Sequence, residues 1–124
     1  MATFMRFEDI EAWQLSRKLL TILYDISRNS GLGKDYALRD QITRAALSIM
    51  SNIAEGYERD SPREFIHFLT IAKGSAGEVR SQLYVVFDAG YITQEVFSDL
   101  YEQIVQIIVK LSHLSSYLKS TLND

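Results

Sequence analysis

Residues 51–64 read SNIAEGYERDSPRE and contain the best-defined helix boundary in the chain. Ser61, Pro62 and Glu64 have the order of an N-cap, a first helical residue and a third helical residue. This order is a capping box, and proline strengthens it because its fixed φ suits the first turn of a helix. The stretch therefore predicts one helix that ends near Tyr57 and another that begins directly after Ser61.

Helical spacing of apolar residues continues on both sides of this boundary and appears four times along the chain, whereas no alternating strand pattern persists. The predicted helices run from about Asp9 to Asn29, from about Asp35 to Tyr57, from Pro62 to just before Gly90, and from Thr93 onward. The stripe predicted to be buried on the first helix contains Trp13, Leu20, Leu23, Tyr24 and Ser27. Long helices joined by short loops favour antiparallel neighbours. The predicted fold is therefore all-α, an antiparallel up-down four-helix bundle.

The composition is that of one soluble globular domain, which we expect to span residues 1–124. Apolar residues make up 47% of the chain and charged residues 23%. The sequence contains no cysteine, which excludes disulfides, thiolate metal sites and cysteine nucleophiles. The N-terminal residues lack the pattern of a signal peptide, and no apolar stretch has the length of a membrane span. We therefore expect a cytoplasmic protein without a membrane partner.

Candidate catalytic and metal-binding residues are few. Glu64 and His67 form one E-x-x-H motif, but a di-iron bundle needs two such motifs and two further glutamates. The other histidine, His113, has Lys110 at the position where the motif requires a glutamate. No glycine-rich loop follows a strand, and no nucleophile is paired with a base. We expect a non-enzymatic protein that uses no metal and no cofactor.

A polar stripe follows the second predicted helix. Rotation by about 100° per residue places five polar residues within an arc of roughly 80°. They are Arg44, Ser48, Asn52, Glu55 and Arg59. On the third predicted helix, Ser75, Glu78 and Gln82 flank the apolar face. We therefore expect Arg44 or Asn52 to bond to Glu78 or Ser75.

Three interpretations of this stripe stay open. It is a solvated face, a polar network at a subunit contact, where such groups fix register, or a phosphate-binding site. The phosphate-binding site would use Arg44, Arg59, Arg63 and Lys73. A separate hypothesis places a small-molecule or catalytic pocket at Asn52, Glu55 and Glu78.

Two further features indicate contact with another surface. Gly74 and Gly77 lie inside the third predicted helix, where each glycine costs about 0.5–1 kcal/mol relative to alanine. Close approach of another helix or of a bulky aromatic side chain would offset this cost. The fourth predicted helix has a second apolar set beside its core stripe, at Tyr101, Val105, Ile108 and Val109. A helix that is apolar on two faces is buried on two sides, either deep in its own bundle or against another subunit. We favour the subunit interface, because a domain of this size has little depth.

Several motifs together resemble a known family. They are SxxSNIAEG at Ser48–Gly56, S-x-x-E-F at Ser61–Phe65, K-G-S-x-x-E at Lys73–Glu78, FEDIEAW at Phe7–Trp13 and GYI at Gly90–Ile92. From about Phe7 to Leu118 the chain resembles the four-helix-bundle family of ribosomal-RNA intervening-sequence proteins. Members are encoded within intervening sequences of large-subunit rRNA genes or stand alone in bacterial genomes. The resemblance implies an up-down bundle that assembles into a homo-oligomeric ring, typically a pentamer.

The resemblance also implies a role. A related bundle, the accessory variability protein of diversity-generating retroelements, works with a reverse transcriptase and binds nucleic acid. The function expected by resemblance is a non-enzymatic, homo-oligomeric module associated with nucleic acid, RNA in particular. The alternative is a protein–protein scaffold that binds no nucleic acid. The related protein is strongly basic, whereas this chain has a net charge of −3 and a pI near 5.4, which opposes binding to a polyanion.

These expectations rest on three sets of residues. The candidate nucleic-acid-binding residues are Arg39, Arg44, Arg59, Arg63 and Lys73. The candidate polar network consists of the motif residues Ser48, Asn52, Glu55, Gly56, Ser75 and Glu78. The candidate oligomer interface consists of Tyr101, Val105 and Ile108. The expected partners are further copies of the chain and RNA or DNA, with no metal ion.

Overall fold

Four long α-helices make up most of the chain in this computed structural model, which describes residues 4–122. They are α1 Glu11–Asn29, α2 Tyr36–Glu58, α3 Pro62–Asp88 and α4 Gln94–Thr121, with 3-10 turns at Phe7–Asp9 and Gly31–Lys34. Each helix packs against the next along the chain, and α1 also packs against α4, so the four helices close into a bundle. The prediction of an all-α, four-helix protein is confirmed, and every predicted helix end lies within two residues of the observed one.

Side-chain caps explain where three of the helices begin. Asp35 caps α2 by accepting from Leu38 N, and Thr93 caps α4 by accepting from Val96 N. Ser61 caps α3 by accepting from the Glu64 backbone N–H at 3.4 Å, as the sequence predicts. These caps satisfy amide groups that have no partner inside the helix.

A tight reversal joins α2 to α3. Asp60 stands between the two helices with φ at 59°, in the left-handed region that aspartate tolerates better than most residues. The Glu64 side chain does not complete the capping box, because its carboxylate lies 3.5 Å from Nη1 of Arg59 instead. The turn is therefore fixed by the Ser61 cap and by charge pairing across it.

The two connections at the other end of the bundle are tied together. Tyr91, in the α3–α4 connection, donates its hydroxyl to Oδ2 of Asp35 at 2.9 Å. This hydrogen bond raises the pKa of Tyr91 above its ordinary value. The Tyr91 ring also covers Gly31, where an added Cβ would lie 2.8 Å from a ring carbon. The residue that caps α2 therefore also holds the α3–α4 connection in place.

The core is apolar, and on α1 it differs from the predicted stripe. The buried residues of α1 are Ala12, Ser16, Leu19, Leu20 and Leu23. Leu20 and Leu23 are confirmed, but the prediction was wrong for Tyr24, which is 45% exposed. Tyr24 follows Leu23 directly, so it is turned by about 100° from the buried row. Trp13 and Ser27 are half-buried at the margins of the row.

Among residues 4–122, no helix combines the length and the apolarity that crossing a bilayer requires. Within the same range, no three His, Asp or Glu side chains come close enough together to hold a metal ion. His67 is exposed on α3 with its ring edge-on to Phe68, and His113 is on α4. Within the described residues, Glu64, His67 and His113 therefore do not come together in a metal site.

Candidate interaction surfaces

The two motif-bearing helices, α2 and α3, pack tightly against each other at Gly56. A Cβ added there would lie 2.7 Å from Cβ of Phe68 and 3.0 Å from a ring carbon of Phe65. Real Cβ atoms essentially never come this close to another atom, so only glycine fits between the helices. Gly56, named in the sequence as part of the polar network, is buried and has a steric role instead.

A short chain of hydrogen bonds, here called the polar seam, joins the same helices and consists of Ser48, Asn52 and Ser75. Ser48 Oγ and Ser75 Oγ lie 2.9 Å apart, and Ser75 is buried. Asn52 Nδ2 donates to the Ser48 carbonyl at 2.8 Å and to Ser48 Oγ at 3.0 Å. The SNIAEG and KGSAGE motifs therefore meet through hydroxyl groups.

The seam differs in detail from the predicted network. Ser48, rather than Arg44 or Asn52, makes the bond to Ser75, because the Asn52 amide turns back one helical turn along α2. Glu55 pairs with Arg59 on its own helix at 2.9 Å. Of the three residues of the hypothetical small-molecule or catalytic pocket, Asn52 and Glu55 are bonded within α2, and only Glu78 lines the cavity beside the seam.

A groove of about 250 Å³ runs beside the polar seam. It is lined by Gln41, Arg44, Ala45, Ser48, Ser75 and Glu78. No salt bridge links Arg44 to Glu78 in the described part of the chain. The groove therefore carries one cation and one anion, and neither neutralises the other by direct contact.

Two of the five candidate nucleic-acid-binding residues are already paired within the chain. Arg59 lies 2.9 Å from Glu55 and 5.1 Å from the centre of the Phe68 ring. Its pKa is raised, first by the hydrogen bond with Glu55 and also by the charge of Glu64. Arg39 lies 2.9 Å from Asp40 and donates to the Gly33 carbonyl. These two guanidinium groups are held by the protein and are less available to a phosphate.

The other three candidates, Arg44, Arg63 and Lys73, are exposed, and none has a salt-bridge partner within residues 4–122. They do not form one cluster. Lys73 and Ser75 are two residues apart, so they point about 200° apart around α3. Lys73 therefore lies on the side of α3 away from the polar seam, whereas Arg44 lines the groove beside that seam. Lys73 and Arg44 therefore do not share one face of the single chain.

The two glycines inside α3 face open space. At both Gly74 and Gly77 a Cβ would meet no atom within 4 Å, and both residues are exposed. The close approach expected to offset their cost is therefore absent within one chain. On α4, Val105 and Ile108 are half-buried and Val109 is 44% exposed. The second apolar set of α4 keeps part of its surface open.

An arginine and three aromatic side chains form a surface between α3 and α4, here called the aromatic surface: Arg80, Tyr84, Phe97 and Tyr101. The Tyr84 ring centre lies 5.1 Å from that of Phe97 and 5.8 Å from that of Tyr101. Arg80 Nε donates to the Tyr101 hydroxyl at 3.0 Å, and its guanidinium carbon lies 5.4 Å from the Tyr101 ring centre.

The two tyrosines of the aromatic surface influence each other. The adjacent Tyr84 hydroxyl and then the Arg80 guanidinium lower the pKa of Tyr101. Hydrogen bonding with Tyr101 raises the pKa of Tyr84. Of this group, only Tyr101 was predicted from the sequence to lie at an interface. Arg80 and Tyr84, like Phe97 and Tyr101, are four residues apart on a helix. This spacing places each pair side by side on the helix surface and could have indicated the group from the sequence.

Comparison with known proteins places the chain in a family. The model of the 23S rRNA-intervening sequence protein family matches residues 8–113. A crystal structure of a protein of unknown function from the S23 ribosomal protein family of Bacteroides thetaiotaomicron is similar in fold, with a TM-score of 0.75 at 23% identity. The match covers 85% of this chain and 95% of that one. No curated protein matches the sequence.

The family match includes both motif-bearing helices, with Gly56 and the polar seam that join them. It spans well over half of the chain and agrees with the resemblance seen in the sequence. This chain belongs to the 23S rRNA-intervening sequence protein family.

Proposed function

We propose that this protein is a non-enzymatic, cytoplasmic interaction module that assembles with copies of itself through the outer face of α3 and α4. The observation that carries the proposal is the open space at Gly74 and Gly77. Two glycines inside one helix together cost about 1–2 kcal/mol relative to alanine. No atom of the same chain packs there, so a helix of a second copy is the contact that would offset the cost.

The fourth helix supports the same face. Val105, Ile108 and Val109 keep apolar surface that their own bundle does not cover. Burying apolar surface between subunits stabilises an assembly by about 25 cal/mol for each Å² removed from water. The family resemblance favours a closed ring, typically a pentamer, as the form of this assembly.

Light scattering on the purified chain tests self-association, because a single copy has a mass of 14.2 kDa. We expect a multiple of this mass at micromolar concentration. Gly77→Leu should lower it, since a large side chain would block close approach. Thr21→Leu, an exposed site on α1, is the matched control and should leave the mass unchanged. A monomeric wild-type protein would contradict the proposal.

RNA association is the second candidate function. It is favoured by Arg44, Arg63 and Lys73, which have no salt-bridge partner in the described chain. The family to which the chain belongs is also named for intervening sequences of 23S rRNA. A ring would repeat these three cations in every copy, so weak contacts to one polyanion would add together.

Electrophoretic shift of a structured RNA across a salt series tests this second function. Binding should weaken steeply as salt rises, since phosphate contacts release counterions. Arg44→Glu, Arg63→Glu and Lys73→Glu together should abolish the shift. No shift by the wild-type protein even at low salt would leave the scaffold role as the function.

A further inference from the structure

We propose that the groove beside the polar seam binds a small zwitterion, an α-amino acid whose side chain donates a hydrogen bond. In this site Arg44 on α2 binds the carboxylate of the ligand, and Glu78 on α3 binds its ammonium group. The amide oxygen of Gln82 accepts a hydrogen bond from the ligand side chain. Binding of this kind requires neither self-association nor RNA.

Opposite charges stand on the two walls of the groove. Arg44 and Ser48 lie on the α2 wall, and Ser75 and Glu78 lie on the α3 wall. Arg44 and Glu78 are both exposed, and neither forms a salt bridge within residues 4–122. A ligand with charge of one sign only would meet repulsion from one of the walls, whereas a ligand with one charge of each sign is attracted by both.

Gln82, on α3, supplies an acceptor that its own chain does not use. Its Oε1 atom is buried and receives no hydrogen bond from the described part of the chain. Leaving a buried amide oxygen without a donor is costly, and most such atoms in folded proteins have a partner. The atom therefore indicates a place where a donor from outside the chain would be stabilised.

The packing of α2 against α3 places Gln82 at one end of the groove. Ser48 Oγ and Ser75 Oγ lie 2.9 Å apart across the two helices. Gln82 follows Ser75 by seven residues, so it lies about 10 Å further along α3 and only about 20° around it. Gln41 precedes Ser48 by seven residues and lies at the same level, because the two helices are antiparallel. Since Gln41 lines the groove, Gln82 borders the same end of it.

The size and the lining of the groove select a small polar ligand. Its volume of about 250 Å³ lies just below the range of about 300–1,000 Å³ that is usual for pockets of drug-sized ligands. Among the six lining residues only Ala45 is apolar, so an apolar ligand would find little to contact. Gln82 lies one turn beyond Glu78, about 6 Å along α3. A side chain of the length of glutamine spans this distance from an ammonium group bound at Glu78.

The groove lies next to the proposed self-association face, and one substitution separates the two. Gly74 precedes Glu78 by one turn, so a second copy packed over Gly74 would come close to the α3 wall. Gly77 points about 160° away from Ser75 around α3. Gly77→Leu therefore alters the self-association face at a position that is turned away from the groove.

NMR titration of the ¹⁵N-labelled protein with L-glutamine tests the proposal. Three analogues each remove one of the recognised groups: N-acetyl-L-glutamine lacks the ammonium group, L-glutaminamide lacks the carboxylate, and L-norvaline lacks the side-chain donor. The protein variants are Arg44→Gln, Glu78→Gln and Gln82→Leu. Arg63→Gln and Glu58→Gln, which change exposed charged residues outside the groove, are the matched controls.

We expect L-glutamine to shift the backbone amide signals of the residues that line the groove more than any others. Arg44→Gln and Glu78→Gln should each weaken binding about tenfold, because each removes a charge-assisted hydrogen bond. The two control variants should bind within about twofold of wild type. Gln82→Leu should weaken the binding of L-glutamine but not that of L-norvaline, a difference that a merely structural role of Gln82 would not produce.

Several results would overturn the proposal. They are the absence of shifts in the groove with L-glutamine, equal shifts with N-acetyl-L-glutamine, and equal losses in the groove variants and their controls. Loss of binding in Gly77→Leu would show that the site needs a second copy, and a lower mass of Glu78→Gln by light scattering would assign the groove to self-association. A monomeric wild-type protein that still binds L-glutamine would contradict the proposed assembly and leave the ligand site standing.

Discussion

At the scale of single residues, Gly56 and Gly74 lie in opposite environments, one tightly packed and one open. Gly56 lies where α2 and α3 touch, and a Cβ there would collide with the root of the Phe68 side chain. Gly74 faces open space, so the same substitution meets no obstacle. Glycine is a poor helix former at either position, and only the packing around each residue distinguishes their roles.

This contrast gives a prediction for stability. Overpacking in Gly56→Ala should cost about 1–3 kcal/mol. This cost exceeds or offsets the roughly 1 kcal/mol that alanine gains over glycine inside a helix, so the variant should be no more stable than wild type and up to about 2 kcal/mol less stable. Gly74→Ala, the matched control, should raise the free energy of unfolding by about 0.5–1 kcal/mol in dilute, monomeric protein. Urea unfolding measures both. Equal effects of the two substitutions would contradict the close packing at Gly56.

At the scale of helices, α2 and α3 are held by shape and by one polar seam. The seam buries the Ser75 hydroxyl against Ser48, and the Asn52 amide supports Ser48 from the same helix. A buried hydroxyl without a partner is costly, whereas a pair removed together is not. The seam therefore fixes the register of the two helices more than it adds stability.

A double-mutant cycle tests this interpretation. Ser48→Ala should destabilise the protein by about 1–3 kcal/mol, because it leaves the buried Ser75 hydroxyl without its partner. Ser48→Ala/Ser75→Ala should cost less than the sum of the single changes, by about 0.5–1.5 kcal/mol. Ser51→Ala, at an exposed position of α2, is the control and should change stability little. Additive single effects would show that the two hydroxyl groups are not coupled.

At the scale of the whole molecule, charge and exposed apolar surface are distributed unevenly. The α3–α4 side carries the open glycines and the aromatic surface, whereas Arg44 lies beside the polar seam on α2. Different sides of one small bundle thus suit different partners.

Self-association makes stability depend on concentration. If the chain assembles, the midpoint of thermal unfolding should rise with protein concentration, because association stabilises the folded state by mass action. Val109→Glu places a charge on the exposed apolar side of α4 and should remove this dependence. Thr21→Glu on α1 is the matched control. A midpoint that is independent of concentration in the wild-type protein would contradict a homo-oligomer.

The helices could be predicted from the sequence because the forces that begin and end them act locally. Ser61 caps the amide of Glu64 only three residues away, and the apolar repeat that buries Leu20 and Leu23 spans one turn. The prediction failed for Tyr24, where one residue of rotation separates the core from solvent. Helix position is a local property, whereas the exact rotation of each helix depends on its neighbours.

The sequence by itself determined the four helices, the bundle class and the motifs that identify the family. Only the tertiary structure decided that Ser48 bonds to Ser75, that Arg39 and Arg59 are already paired, and that Tyr84 meets Tyr101. These outcomes depend on how far each helix rotates and slides against the next. A shift of a few ångströms makes or breaks a hydrogen bond without changing the pattern of residues that forms the helix.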